Sequence, residues 1–286
     1  MDDKTTNAAL TRRQSLTALM AAGAVALPSG ARAQTAATAQ LLPGANVCVL
    51  TAQVEEGPFY FDPKLERIDI TEGKTGVPLG LRLQVVNAGD CTPVKAARVD
   101  VWHADALGYY SGYSGQSDAG NVSTEGQKFL RGTQFSNDTG LVNFTTIYPG
   151  WYQGRTTHIH CKVILGDNTV LTAQLYFPDA LSEYLYTNVA PYNTRSLKRD
   201  TVNASDMLVQ SGDADYRSFC SIKEEPGRYL ASLIVGVDRN AKPAAGPGIP
   251  PGGPPPGGSR PGGAGMPPRG QSRPAGPLVP GIVKAK

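Results

Sequence analysis

The sequence predicts an all-β fold, an antiparallel or mixed β-sandwich with long loops and at most short helices. Apolar residues alternate with a period of two, as at Leu79, Leu81, Leu83 and Val85, which is the pattern of a half-buried strand. Turn sequences such as residues 138–140 (Asp-Thr-Gly) separate such segments at the spacing of a sandwich or barrel. The sequence offers no series of crossover helices, which excludes an α/β fold.

The same patterns predict the elements in order along the chain. Strands are expected at residues 79–85, 99–101, 141–147, 159–165, 171–177 and 229–237, and one short helix at residues 180–186. Turns are expected at residues 87–90, 138–140 and 166–168. These elements fall within residues 47–238, a length that suits one hydrophobic core. We therefore expect a single folded domain there.

Residues 1–33 have the pattern of an export signal. Arg12 and Arg13 precede an apolar run over residues 16–27, and a small-x-small cleavage pattern ends at Ala33. The run is too short for a stable membrane span, so removal of the segment is expected. The paired arginines resemble a twin-arginine signal, with an ordinary secretory signal as the alternative. Both predict a periplasmic or extracellular protein without a permanent membrane span.

Two further segments lack the pattern of packed structure. Residues 34–46 are rich in Ala, Thr and Gln and predict a flexible lead into the domain. Residues 239–286 are rich in Pro and Gly without a three-residue repeat, which excludes collagen and predicts a disordered tail. The net charge of +3 gives no reason to expect a nucleic acid or an anionic membrane as a partner.

The chain has four cysteines, Cys48, Cys91, Cys161 and Cys220. They suit an oxidising compartment and allow three full pairings, among which the sequence does not choose. No Cys-x-x-Cys spacing is present, which disfavours a zinc ribbon or a thioredoxin-like redox pair. Each cysteine is expected in a structural disulfide or as a buried thiol.

The sharpest chemical feature is a His-x-His pair, His158 and His160, in a chain with three histidines. Residues two apart on a strand face the same side, so both imidazoles can reach one ion. Such pairs occur in zinc, copper and iron sites, so the remaining ligands decide the chemistry. The candidates are tyrosines. Tyr152 lies in a Pro- and Gly-rich loop before the pair, and Tyr110 follows the strand of Trp102.

This ordered set resembles the intradiol ring-cleavage dioxygenases, in particular their protocatechuate-dioxygenase-like and secreted branches. Tyr110 matches the family tyrosine that follows a strand ending in Trp and a Gly-containing turn. Tyr152 matches the second tyrosine, which follows a Pro-Gly loop. Arg155, His158 and His160 match the family sequence Arg-x-x-His-x-His.

The resemblance extends over roughly residues 48–237. Gln174 matches a family glutamine on the next strand, within a Gln-hydrophobic-Tyr/Phe-Phe pattern. Residues 56–60 (Glu-Gly-Pro-Phe-Tyr) resemble a stretch that borders the substrate pocket, which indicates Gly57, Pro58 and Tyr60 as pocket residues.

The resemblance implies an enzyme that holds one Fe(III) per chain and uses O2 to cleave a catechol-type ring between its hydroxyl-bearing carbons, giving a muconate-type diacid. Phenolates are anionic oxygen donors that suit a hard trivalent ion. Tyr152 would act as ligand and then base, Arg155 would stabilise charge on the substrate, and Gln174 would position its neighbours. The implied metal ligands are Tyr110, Tyr152, His158 and His160. The ring substituents and the oligomeric state, including a homo-oligomer, stay open.

Two other interpretations compete with this one. His103 would complete a His-only zinc site with His158 and His160, as in a zinc hydrolase. The expected role of His103 is instead that of a hydrogen-bonded structural histidine. The second alternative is a secreted sandwich that binds aromatic ligands without chemistry.

Overall fold

The computed structural model describes residues 48–241. The expected export signal, the lead and all but the first three residues of the expected tail lie outside this range. Within it the chain forms eight strands, two α-helices and two 3-10 helices. The strands are β1 (Pro78–Asn87), β2 (Arg98–Trp102), β3 (Arg131–Phe135), β4 (Leu141–Ile147), β5 (His158–Leu165), β6 (Asn168–Tyr176), β7 (Ser221–Glu225) and β8 (Arg228–Val237). The helices are α1 (Asp179–Asn188) and α2 (Met207–Gly212), with 3-10 turns at Tyr192–Thr194 and Asn203–Ser205.

The strands form two four-stranded sheets, with the orders β4-β1-β8-β7 and β3-β2-β5-β6. Neighbouring strands run antiparallel except β1 and β8, which are parallel. This mixed architecture, with only short helices, confirms the predicted all-β fold. Neither helix in residues 48–241 is long and apolar enough to cross a bilayer.

The core consists of alternate residues from both sheets. Leu79, Leu81 and Leu83 of β1 are at most 1 % exposed, and Ile159 and Cys161 of β5 are fully buried. Full burial of such a side chain contributes about 1.5–3 kcal/mol. Because side chains alternate along a strand, the residues of β5 on either side of Ile159 face away from this core.

Two strands and one helix were not expected from the sequence. Strands β3 and β7 each lie at the edge of a sheet, and β7 (Ser-Ile-Lys-Glu-Glu) contains no buried residue. Edge strands are often short and charged, so they lack an apolar alternation. Helix α2 has only six residues, too few for a helical periodicity to be visible.

The cysteines adopt one disulfide and two thiols. Cys48 and Cys91 are bonded, whereas Cys161 and Cys220 are free and buried. None of the full pairings is therefore formed. The bond joins the start of the described chain to the turn after β1.

Candidate metal centre

Strand β5 presents both predicted imidazoles on its face away from the core. His158 and His160 are 3 % and 2 % exposed, and their Nε2 atoms are 3.2 Å apart. The ring of Trp102, from the paired position on β2, stacks on His160 with centroids 4.7 Å apart. The sheet therefore fixes the His160 ring from one side.

The hydroxyls of the two predicted tyrosines converge on the same nitrogens. The Tyr110 hydroxyl is 3.0 Å from Nε2 of His160 and 3.3 Å from Nε2 of His158. The Tyr152 hydroxyl is 3.2 Å from Nε2 of His158. The structure thus brings together two oxygen and two nitrogen atoms from three parts of the chain: the loop after β2, the loop before β5, and β5 itself.

The hydrogen bonds of His158 orient its lone pair towards this cluster. Its Nδ1 lies 2.6 Å from the carbonyl oxygen of Thr156, which can only accept, so Nδ1 carries the proton. Nε2 is then an unprotonated acceptor, the form in which imidazole binds metal. Donors about 2 Å from one ion are on the order of 3 Å from each other, which is the spacing found here. The four side chains fit a bound metal ion.

Without a cation, burial is the main reason why these four groups are uncharged. It raises the pKa of the Tyr110 phenol well above its usual value, and the neighbouring Tyr152 raises it further. Burial also raises the pKa of Tyr152. The pKa of His158 falls to about 3 through burial and the nearby Arg155 charge. Burial also lowers the pKa of His160 well below its usual range. An anionic phenolate here requires a coordinated cation, which reverses the preference for the neutral phenol.

The centre depends on tyrosine oxygens. Among the described residues, no group of three or more His, Cys, Asp and Glu side chains could hold a metal ion. The third histidine, His103, bonds through Nδ1 to the Ala104 carbonyl and through Nε2 to the Thr146 hydroxyl, both at 2.8 Å. Neither nitrogen of His103 is available to a metal, which agrees with the structural role expected for it.

Arg155 and Gln174 are hydrogen-bonded to each other beside the centre. Nη2 of Arg155 donates to Oε1 of Gln174, which lies opposite His160 in the β5–β6 register. Nε of Arg155 donates to Asp206 at 2.9 Å. The sequence did not indicate Asp206, although an Asp directly before the apolar residues of a short helix is an N-cap signal.

The expected pocket segment lies against the centre in part. A Cβ atom at Gly57 would come 3.5 Å from Cε1 of His160, and the ring of Phe59 stacks on Tyr110 at 4.4 Å. Pro58 is exposed in the turn between them. The Tyr60 hydroxyl donates to Asp100 at 2.8 Å, so its polar end faces away from the four donor atoms.

A buried arginine holds the chain next to Tyr110. Arg131 is 1 % exposed and donates through Nε to the Ser111 hydroxyl and through Nη2 to the Ser111 carbonyl, both at 2.8 Å. Its guanidinium also lies 4.2 Å from the centre of the Phe61 ring. No carboxylate pairs with Arg131 within residues 48–241. Arg131 was not expected at the site, because its partner Ser111 is 20 residues away in the chain and no local pattern links the two.

A cavity of about 210 Å³ opens beside the two tyrosines. We call it the aromatic pocket; its lining includes Phe59, Tyr109, Tyr110, Asp118, Tyr152 and Arg195. Tyr110 and Tyr152 are therefore part of both the four-donor cluster and the wall of this pocket.

Comparison with known proteins agrees with this arrangement. A sequence model of a family described as "Dioxygenase" matches residues 56–214. The solved structure of an intradiol ring-cleavage dioxygenase from Tetranychus urticae superposes with a TM-score of 0.62 at 29% identity, over 68% of this chain and 98% of that one. The chain belongs to the intradiol ring-cleavage dioxygenases. A second dioxygenase crystal structure matches with the same TM-score at 28% identity, over 68% of this chain and 97% of that chain.

Membership of the intradiol dioxygenases confirms the resemblance found in the sequence and makes the protein an oxidoreductase. The family match spans all four donor residues, Arg131, Arg155, Gln174 and Asp206. It also includes the residues that line the aromatic pocket.

Proposed function

We propose that this protein holds one Fe(III) and uses O2 to cleave a catechol-type ring between its two hydroxyl-bearing carbons. Both oxygen atoms enter the product, a muconate-type diacid, so the reaction takes no electrons from another donor. One observation carries the proposal: two phenol oxygens and two imidazole nitrogens meet within 3.0–3.3 Å of one another.

Tyr110, Tyr152, His158 and His160 would hold the iron. Two phenolates partly balance its three charges, and oxygen donors favour the ferric over the softer ferrous ion. When bound, Fe(III) would supply a Lewis acid for the two oxygens of the diol and make the electron-rich ring reactive towards O2.

The two tyrosines are placed for different tasks. Tyr110 is 1 % exposed, and its backbone N–H and carbonyl are both held by side chains, those of Gln116 and Thr124. Tyr152 is half-buried on a loop and lines the aromatic pocket. Tyr152 is therefore the residue that could leave the ion as the diol enters, and the phenolate oxygen released in this way could accept a proton from the substrate.

Arg155 places a positive charge beside Tyr152. Asp206 and Gln174 hold its guanidinium beside Tyr152, where burial keeps water away from most of the side chain. A fixed charge in such a place stabilises negative charge that develops on the substrate. The amide oxygen of Gln174 accepts a hydrogen bond from Arg155, which supports a positioning role for Gln174.

We propose that the protein acts outside the cytoplasm. Two observations support this: the export pattern of residues 1–33 and the disulfide between Cys48 and Cys91. Disulfides persist in oxidising compartments and are rare in the cytosol.

Isotope labelling tests the proposed reaction. Purified protein with a measured iron content is given catechol under 18O2, and the product is analysed by mass spectrometry. We expect one O2 consumed per catechol and two labelled atoms in a muconate-type diacid. Three results would contradict the proposal: ring cleavage next to the diol and not between its two carbons, a product with one labelled atom, or no oxygen uptake by the iron-loaded protein.

A further inference from the structure

The aromatic pocket has the dimensions of a one-ring site. Its volume of about 210 Å³ lies below the roughly 300 Å³ at which pockets for drug-sized ligands begin. Phe59 and Tyr109 add aromatic faces to those of the two tyrosines of the centre. A single aromatic ring with small substituents suits this space and these walls.

The charges of the pocket are already paired with each other. Among its lining residues, the charged side chains are Asp118 and Arg195. Nε and Nη2 of Arg195 both donate to the Asp118 carboxylate, Nε at 3.3 Å. Nη1 donates to the Trp151 carbonyl at 2.5 Å, and the guanidinium lies 3.8 Å from the centre of a Trp151 ring. All three nitrogens of Arg195 therefore have acceptors.

The pair lies between the two loops that carry the phenols. Asp118 lies in the turn of a small hairpin, in which Gln116 and Val122 are bridged, and Gln116 accepts a hydrogen bond from the Tyr110 backbone. Arg195 is held against Trp151, the residue before Tyr152 in the chain. Arg195 is 6 % exposed in its side chain, and Asp118 is 29 % exposed.

We propose that the Asp118–Arg195 pair makes the pocket selective for catechols with uncharged substituents over catechols that carry a carboxylate. This inference rests on the proposed function and names its substrate class. A carboxylate that enters the pocket meets the like charge of Asp118 and an arginine whose charge is already paired and whose three nitrogens each donate a hydrogen bond within the protein. Removing that carboxylate from water without a partner is costly. The other cation near the centre, Arg155, is likewise paired, with Asp206.

Asp118→Asn tests the role of the pair with little change in shape. It removes the like charge and frees the Arg195 guanidinium, which Trp151 still holds through its carbonyl and ring. The matched control is Asp215→Asn, which removes the same charge from an exposed pair with Arg217 that does not line the pocket.

The measurement is kcat/KM for catechol, 4-methylcatechol and 3,4-dihydroxybenzoate with the iron-loaded protein, together with the Kd of each for the protein without oxygen, by calorimetry. In the unmodified protein we expect the carboxylated ring to be the poorest substrate and the weakest ligand. Asp118→Asn should raise its kcat/KM relative to catechol by about three- to tenfold, the range of a partly exposed charge interaction. Asp215→Asn should leave that ratio unchanged.

Three results would overturn the inference: 3,4-dihydroxybenzoate preferred by the unmodified protein, a ratio unmoved by Asp118→Asn, or an equal shift with Asp215→Asn. If no diol is turned over, the proposed function fails. The Kd ratios then still decide the inference, because selective binding by charge does not need turnover.

Discussion

Nε of Arg155 donates a hydrogen bond of 2.9 Å to Oδ2 of Asp206, whose side chain is fully buried. The same oxygen accepts the backbone N–H of Thr156 at 2.8 Å, and Oδ1 accepts the N–H groups of the second and third residues of α2. One carboxylate therefore caps a helix and fixes the segment that enters β5 at His158. The position of Arg155 beside the centre follows from this cap.

Asp206→Asn should destabilise the protein by about 3 kcal/mol, because it leaves the Arg155 charge without its buried partner. Asparagine is as good an N-cap as aspartate, so the loss reports the contacts of Oδ2 with Arg155 and the Thr156 N–H and not the helix cap. The measurement is urea unfolding of the metal-free protein. Asp215→Asn, in an exposed pair, should change the free energy of unfolding by less than about 1 kcal/mol. If the two variants lost the same free energy of unfolding, the buried Arg155–Asp206 pair would stabilise the protein no more than an exposed pair does.

Tyr110→Phe should abolish or shift the visible colour of the iron-loaded protein and weaken iron binding. Loss of a ligand oxygen should cost more than the roughly 10- to 100-fold that removal of an outer hydrogen-bond partner costs in metal affinity. Tyr113→Phe is the matched control, because Tyr113 packs on the same Phe59 ring but its hydroxyl donates to the Tyr60 carbonyl. It should keep its iron and its spectrum. An unchanged spectrum in Tyr110→Phe would remove Tyr110 from the centre.

His103→Gln separates the four-donor centre from a His-only zinc site. Its two buried hydrogen bonds are lost or weakened, so a destabilisation of about 1–3 kcal/mol is expected. Because His103 is not a ligand, the folded variant should bind one iron per chain, whereas His160→Gln should not. Elemental analysis of both variants, after circular dichroism has established that they are folded, gives the answer. Loss of metal from folded His103→Gln would favour the zinc site.

Removal of the disulfide with Cys48→Ser and Cys91→Ser together should lower the free energy of unfolding by about 4 kcal/mol. The bond closes a loop with a sequence separation of 43, and the loss follows from the entropy that the open loop gains in the unfolded chain. Thermal unfolding measures the change. Thiol titration of the unmodified protein should find two cysteines, and only after denaturation. Four reactive thiols without a reductant would contradict the bond.

The sequence predicted those parts of the fold that carry a regular apolar alternation. Strand β4 was predicted with the bounds that it has, and β1 and β8 to within a few residues. Strands β3 and β7 have only five residues each and lack that alternation: β3 contains Gly, Thr and Gln, and β7 has no buried residue. Their place in the sheets depends on partners elsewhere in the chain.

The candidate site divides in the same way. His158 and His160 could be recognised because strand geometry alone puts them on one face, and the tyrosines because their order along the chain resembles a known family. Asp206, 51 residues from Arg155, could not be paired with it from the sequence. Asp118 and Arg195 are 77 residues apart, so their pairing could not be predicted from the sequence either. Such contacts are set by how loops return to the sheet, which no local pattern encodes.

Titration of the metal-free protein with Fe(III), followed by visible absorption, tests most directly whether two phenols and two imidazoles hold one ion. A tyrosinate-to-iron charge-transfer band should grow linearly and stop at one equivalent per chain. The result that would contradict the centre is a protein that stays colourless with Fe(III), or one whose band keeps growing beyond one equivalent.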